Sequence, residues 1–200
     1  MKYGILGGTF NPIHNGHINI GLKIYETLKL HKVFFMPNKI PPHKNSENIL
    51  DEKIRLHMIK EAIKPYEFFS IEKCELERNE ISYTFESLTY LKTLYKNHKL
   101  FFIIGSDSFL NFDKWKNIEI IFKYSNLVVY LRKDCDKTKI LHIKKNYEKV
   151  YNCNIYLIFD DIINISSTEI RNKVINEESI ENLVPKSVYE YITLKNLYKG

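Results

Sequence analysis

Short apolar runs alternate with longer amphipathic stretches along most of this chain. Lys2-Tyr3-Gly4-Ile5-Leu6 is the first such run and predicts a buried strand. From Ile18 to Leu30, apolar residues recur at Ile20, Ile24, Tyr25 and Leu28, with Leu22 on the neighbouring line. That spacing suits a helix packed on a sheet. Lys32 to Met36 predicts a second strand, stopped by Pro37, and Pro37 to Asn48 a polar, proline-rich loop. Asp51 to Ile63 reads as a helix with Asp51 as N-cap and Ile54, Met58 and Ile59 facing inward. Phe68 to Cys74 is expected as strand, and Glu75 to Ser82 as a charged loop. Tyr83 to Tyr95 is expected as helix, with Phe85, Leu88, Leu91 and Leu94 on its apolar side. The continuous apolar run from Lys99 to Gly105 has the character of a central parallel strand. Ser106 to Phe122 is expected as helix in two pieces, Asn126 to Leu131 as strand, Lys137 to Val150 as a basic helix, and Asn154 to Phe159 as the last strand. Ser166 to Ile175 and Lys186 to Leu197 close the chain as helices, Pro185 standing at a natural helix start.

This alternation predicts an α/β fold, a doubly wound parallel sheet with right-handed crossovers. With 200 residues, a single domain over residues 1–200 is expected. Ligands of such sheets bind beyond the carboxyl ends of the strands. The stretch Gly7-Gly8-Thr9-Phe10-Asn11-Pro12-Ile13-His14-Asn15-Gly16-His17 follows the first strand. Gly105-Ser106-Asp107 and Ile165-Ser166-Ser167 each follow a later one. All should therefore gather at one edge.

Composition narrows the partners. Hydrophobic residues make up 44% and aromatic ones 14%, which fits a packed globule and not a disordered chain. The net charge of +6 suits polyanionic ligands, nucleotides as well as nucleic acids. The lysines are scattered along the chain, which speaks for a solvated surface and against a nucleic-acid-binding face. Cys74, Cys135 and Cys153 are far apart and form no Cys-x-x-Cys, so neither a zinc site nor a disulfide scaffold is expected, and a reducing compartment fits. The first strand begins by Tyr3, which leaves no room for a signal peptide, and no apolar run nears the ~20 residues of a membrane span. A cytoplasmic protein is the expectation, with nuclear residence left open.

The chemistry-bearing residues cluster in these loops. Gly7 and Gly8 sit where a strand turns into a helix, so backbone amides there can face an anion, helped by the positive end of the helix. His14 and His17, three apart, share a face of its first turn and can stabilise charge that develops on a phosphate. Ser166 and Glu169 alone suit a capping box. That motif leaves Ser167, Thr168 and Arg171 unexplained: hydroxyls and a guanidinium on one helix start, where they suit a triphosphate. The loop Pro37-Asn38-Lys39-Ile40-Pro41-Pro42-His43-Lys44 is either a stiff surface loop or a phosphate clamp. Arg55 suits a structural salt bridge or a ligand contact. Ser82 or Thr84 caps a helix or meets a ligand. Asp107 caps a helix or holds a ribose hydroxyl. Trp115, the only tryptophan, stands among polar neighbours, where its ring can stack on another flat ring. Arg132 suits an anion or a neighbouring acid.

GGTFNPIHNGH, with its His-x-Gly-His core, resembles the signature of the nucleotidyltransferase superfamily related to class I aminoacyl-tRNA synthetases. In its longer form it is similar to that of the nicotinate/nicotinamide mononucleotide adenylyltransferases. The Pro-Pro-His-Lys loop, Ser82-Tyr83-Thr84, the Gly-x-Asp with its later Trp, Arg132 and Ile165-Ser166-Ser167-Thr168-Glu169-Ile170-Arg171 resemble the same family, which the match covers from residue 3 to about residue 192. The resemblance implies a Rossmann-like nucleotidyltransferase fold and adenylyl transfer from ATP to nicotinate mononucleotide, an NAD-biosynthetic reaction. It implies His14 and His17 as catalytic. ATP would meet Gly7, Gly8, Thr9, Phe10, His14, His17, Ser167, Thr168 and Arg171. The mononucleotide would meet Lys44, Tyr83, Thr84, Gly105, Asp107, Trp115 and Arg132. Mg²⁺ would arrive on the ATP phosphates, since the sequence offers no dedicated carboxylate cage. No nucleic acid or membrane partner is implied, and monomer and homodimer stay open. Nicotinamide mononucleotide as a main substrate, a sister enzyme such as phosphopantetheine adenylyltransferase, and a basic nucleic-acid-binding protein are the rival readings. Asn11 departs from the Asp of many relatives and receives no role, and Asp134 to Asn154 matches no known pattern.

Overall fold

A computed structural model describes residues 1–39, 49–78, 82–132, 135–159 and 165–199. The strands β1 (Lys2–Gly8), β2 (Lys32–Pro37), β3 (Phe69–Ile71), β4 (Lys99–Gly105), β5 (Ser125–Leu131) and β6 (Ile155–Phe159) form a six-stranded sheet in the order β3-β2-β1-β4-β5-β6. Every pairing is parallel. The order reverses between β1 and β4, the switch point at which doubly wound sheets open a crevice.

The sheet sorts side chains by the two-residue period of a strand. Leu6, Phe35, Phe101, Ile103 and Val128 face one layer, under helices α1 (Asn15–Leu28), α2 (Glu52–Ile63), α7 (Ser167–Ile175) and α8 (Lys186–Leu194). Their neighbours Ile5, Phe34, Phe102 and Leu127 face the other, under α3 (Thr84–Leu94), α4 (Ser106–Leu110), α5 (Ile118–Tyr124) and α6 (Lys137–Tyr151). β1 and β4 are buried on both faces, which is why their sequences read as continuous apolar runs.

Three elements differ from the sequence expectation. β3 is confined to Phe69–Ile71 instead of running from Phe68 to Cys74, because it is an edge strand paired only with Val33 to Phe35 of β2. The chain then turns, with the Cys74 N–H on Glu72 Oε1 and the Leu76 N–H on Lys73 O. α8 stops at Leu194 and not Leu197, and Asn196 and Tyr198 beyond it take positive φ. The two-piece helix after β4 is interrupted by a 3-10 turn, Phe112–Lys114, which leaves Trp115 extended between α4 and α5. Asp51 caps α2 as expected, its carboxylate accepting from the Lys53 N–H at 2.8 Å.

Arg55 shows how the sheet edge is tied together. It is 2% exposed, and its guanidinium donates to the carbonyls of Leu50 (3.0 Å), Thr9 (2.8 Å) and Asn38 (2.9 Å). The sequence reading offered a salt bridge or a ligand contact. The structure instead has the charge holding the loops after β1 and β2 by their backbone, and burial lowers its pKa.

Candidate active site

The glycine-histidine stretch turns sharply off β1. Phe10 adopts a left-handed φ of 49° and its ring lies across Gly8, where a Cβ would sit 3.1 Å from a ring carbon. The Asn11–Pro12 peptide is cis. His14 then caps α1 in extended conformation. Its N–H donates to His17 Nδ1 at 3.3 Å, and the His17 N–H donates to His14 O at 2.9 Å. The two rings stack with centroids 3.7 Å apart, and Phe10 meets His17 edge-on at 4.9 Å. Gly16 makes room for this: a Cβ there would lie 3.0 Å from His14 Nδ1. His14 and His17 thus form one block at the mouth of α1.

α7 closes on this block from the far end of the chain. Ser166 caps it, accepting from the Glu169 N–H at 3.1 Å. The Ser167 hydroxyl donates to Pro12 O (2.9 Å). Arg171 donates to Asn11 O (2.9 Å) through Nη1 and to Thr168 Oγ1 (3.2 Å) through Nη2. The starts of α1 and α7 therefore converge, and each contributes roughly half a positive charge. Tyr198 and the Leu50 N–H both donate to Asn11 Oδ1, at 3.0 and 3.2 Å, so Asn11, 3% exposed, anchors the loop from behind.

The opposite wall is aromatic. Tyr83 caps α3 without a side-chain bond. Ser82 is buried and accepts from the Lys39 N–H at 3.4 Å, so it ties two loops together and does not cap the helix. Trp115 lies edge-on to Phe102, with centroids 6.1 Å apart. Asp107, in the first turn of α4, pairs with Arg132 (3.0 Å), and both remain well exposed.

Between the walls lies a cleft of about 950 Å³. Gly7, Gly8, Thr9, Phe10, His14, His17, Ser167, Thr168 and Arg171 line it on one side, and Tyr83, Thr84, Gly105, Asp107, Trp115 and Arg132 on the other. Every expected site residue among the described ones is therefore at this cleft; Lys44 lies outside the described residues. Asn38, Glu75, Tyr130 and Lys116 also line it and were missed. Lys116 had a signal in its place beside Trp115, and Asn38 in its place in the proline-rich loop. Glu75 is 4% exposed and accepts from the Ser87 hydroxyl at 2.7 Å, and its burial raises its pKa.

His14 is 5% exposed, and its Nδ1 has no hydrogen-bond partner among the described residues. Burial, reinforced by the charge of Arg132, pushes its pKa down to about 3. The ring is therefore neutral near pH 7. In the free protein its NMR signals should stay flat down to about pH 5, well below an ordinary histidine midpoint. Adding ATP should raise the midpoint. A free-protein midpoint near the usual 6.5 would contradict this assignment. The sign for stability follows. The unfolded chain takes up a proton below about pH 6.5 that folded His14 refuses, so stability is full above that pH and drains as pH falls towards about 3.

The carboxylates of the cleft bear on metal binding. Asp107 is engaged by Arg132 and Glu75 by Ser87, and the described residues hold no cluster of three or more His, Cys, Asp or Glu side chains fit to cage an ion. No helix among the described residues is long and apolar enough to cross a membrane.

Comparison with known proteins agrees with this geometry. The cytidylyltransferase-like family model matches residues 5–173. A probable nicotinate-nucleotide adenylyltransferase of Clostridium perfringens is 44% identical, covering 99% of this chain and 98% of its own. One from Clostridium acetobutylicum is 41% identical and covers 98% of both chains. Among solved structures, the Plasmodium falciparum nicotinic acid mononucleotide adenylyltransferase complexed with NaAD superposes with a TM-score of 0.79 at 22% identity, covering 98% of this chain and 97% of that one. At that identity the likeness is one of fold.

Proposed function

The chain belongs to the cytidylyltransferase-like family, and from that premise we propose that it transfers the adenylyl group of ATP to nicotinate mononucleotide. The products are nicotinate adenine dinucleotide and pyrophosphate, a step of NAD biosynthesis. The observation that carries this reading is the convergence of two helix starts, a stacked histidine pair and the Ser167-Thr168-Arg171 turn on one side of a cleft whose other side is aromatic. One side suits phosphates, the other a flat ring. Full-length relatives named for the same reaction support it.

A 5′-phosphate oxygen of the mononucleotide attacks the α-phosphorus of ATP in line. The bond to the bridging oxygen of the β-phosphate breaks, and pyrophosphate leaves with the electron pair. No protein nucleophile takes part, so the residues act by positioning and charge stabilisation. In this reading His14 and His17 meet the reacting phosphates, and Thr168 and Arg171 hold the polyphosphate beside the amides of Gly7 to Phe10. Trp115 covers the pyridine ring, Tyr83 and Thr84 border it, and Asp107 and Arg132 flank the ribose and phosphate. Mg²⁺ bound with the nucleotide would supply charge neutralisation. Residues 1–200 act as one nucleotidyltransferase domain in the cytoplasm.

The test is direct. The protein is incubated with ATP, Mg²⁺ and, separately, nicotinate mononucleotide, nicotinamide mononucleotide and phosphopantetheine, and pyrophosphate and the adenylylated product are measured. The expected result is a higher kcat/KM for nicotinate mononucleotide than for the other acceptors. Equal use of the amide would overturn the acid preference, and turnover of phosphopantetheine alone would overturn the reading.

A further inference from the structure

The aromatic end of the cleft holds an ammonium that the proposed reaction leaves unused. Lys116 follows Trp115 and lines the same wall. Its Nζ donates to Tyr83 Oη at 2.8 Å and stands 4.0 Å from the centroid of that ring. The charge is thereby fixed across the start of α3, between the turn that carries Trp115 and the residues that border the expected pyridine. The neighbouring cations have other work. Arg132 is on Asp107, Arg171 on Asn11 O and Thr168, and Lys114 on Asn111 Oδ1 at 3.0 Å. An ammonium with one bond made keeps two further donors. Of the carboxyls lining this side, Asp107 is paired with Arg132 and Glu75 is turned to Ser87.

We propose that Lys116 is the charge that selects the pyridine carboxylate, and so favours nicotinate over nicotinamide mononucleotide, an inference that rests on the adenylyl-transfer reading above. The two mononucleotides have the same shape and differ at this point by one charge. Backbone donors alone serve the acid and the carbonyl of the amide alike, whereas an ammonium close to the ring separates them. Lys116 is exposed, so solvent limits its reach, and a discrimination of about tenfold is expected, shrinking as salt is added.

Trp115 makes the test independent of turnover, because it is the only tryptophan and stands next to Lys116. Quenching of its fluorescence is titrated with each mononucleotide for the native protein, Lys116→Met and Lys116→Arg. Lys116→Met keeps the apolar stem and removes the charge. The expected result is nicotinate mononucleotide binding about tenfold more weakly to Lys116→Met, nicotinamide mononucleotide changing by no more than about twofold, and Lys116→Arg restoring most of the difference. An unchanged ratio, or a parallel loss for both ligands, would overturn the proposal, the second outcome marking Lys116 as a prop for Tyr83. Steady-state rates on the same proteins keep the two readings apart. Charge-selective binding without pyrophosphate release would defeat adenylyl transfer while leaving the selectivity of Lys116 standing.

Discussion

His17→Ala should lower kcat by about 10²-fold or more while KM for both substrates moves little. His17 Nδ1 accepts from the His14 N–H, which requires the proton of the neutral ring on Nε2. The ring is further fixed by stacking on His14 and by the edge contact with Phe10. It is therefore a pre-oriented donor, and such a donor stabilises the charge that grows on the phosphates in the transition state more than the charge of the ground state. Alanine removes the donor and also exposes His14, so the circular dichroism melt of the variant should be compared with that of the native protein. A folded variant with nearly full kcat would remove His17 from the chemistry.

Arg171→Ala should reduce kcat/KM for ATP by about 10²-fold, with the mononucleotide binding almost as before. Arg171 makes two contacts. It donates to Thr168 in the first turn of α7, the turn proposed to hold phosphates, and it fixes the Asn11 carbonyl in the loop that carries both histidines. Lysine keeps the charge but not the planar fork that serves both partners, so Arg171→Lys should recover only part of the loss. Calorimetric titration with ATP, set beside Trp115 quenching by nicotinate mononucleotide, separates the two ligands. Unchanged ATP affinity together with an unchanged rate would defeat the phosphate reading of α7.

The alternation of apolar runs made the doubly wound sheet legible, because β1 and β4 are buried on both faces and cannot be written any other way. Edge strands carry less information. β3 keeps only the pairing that β2 offers, so an apolar stretch from Phe68 to Cys74 overstates it. The residues that gather at the cleft were legible where they are concentrated within a few positions, as in His14 to His17 and Ser166 to Arg171. They were obscure where a role depends on contacts far along the chain. Arg55 suited a salt bridge or a ligand contact, because sequence does not show the carbonyls of Thr9 and Asn38 that it meets. Glu75 looked like part of a charged loop, yet it is buried against Ser87. Asn11 had no visible purpose until Tyr198 came to rest on it.

The bonds from Ser167 to Pro12 and from Arg171 to Asn11 span 155 and 160 residues. They set a schedule for the growing chain. At about 5–20 residues per second, the histidine loop leaves the ribosome about 8–30 seconds before the helix that holds its carbonyls. Over that interval β1, α1 and both histidines exist without the helix that holds their loop. A truncated or half-made chain would therefore carry the signature residues and no working site, and competence to use ATP would arrive late in synthesis.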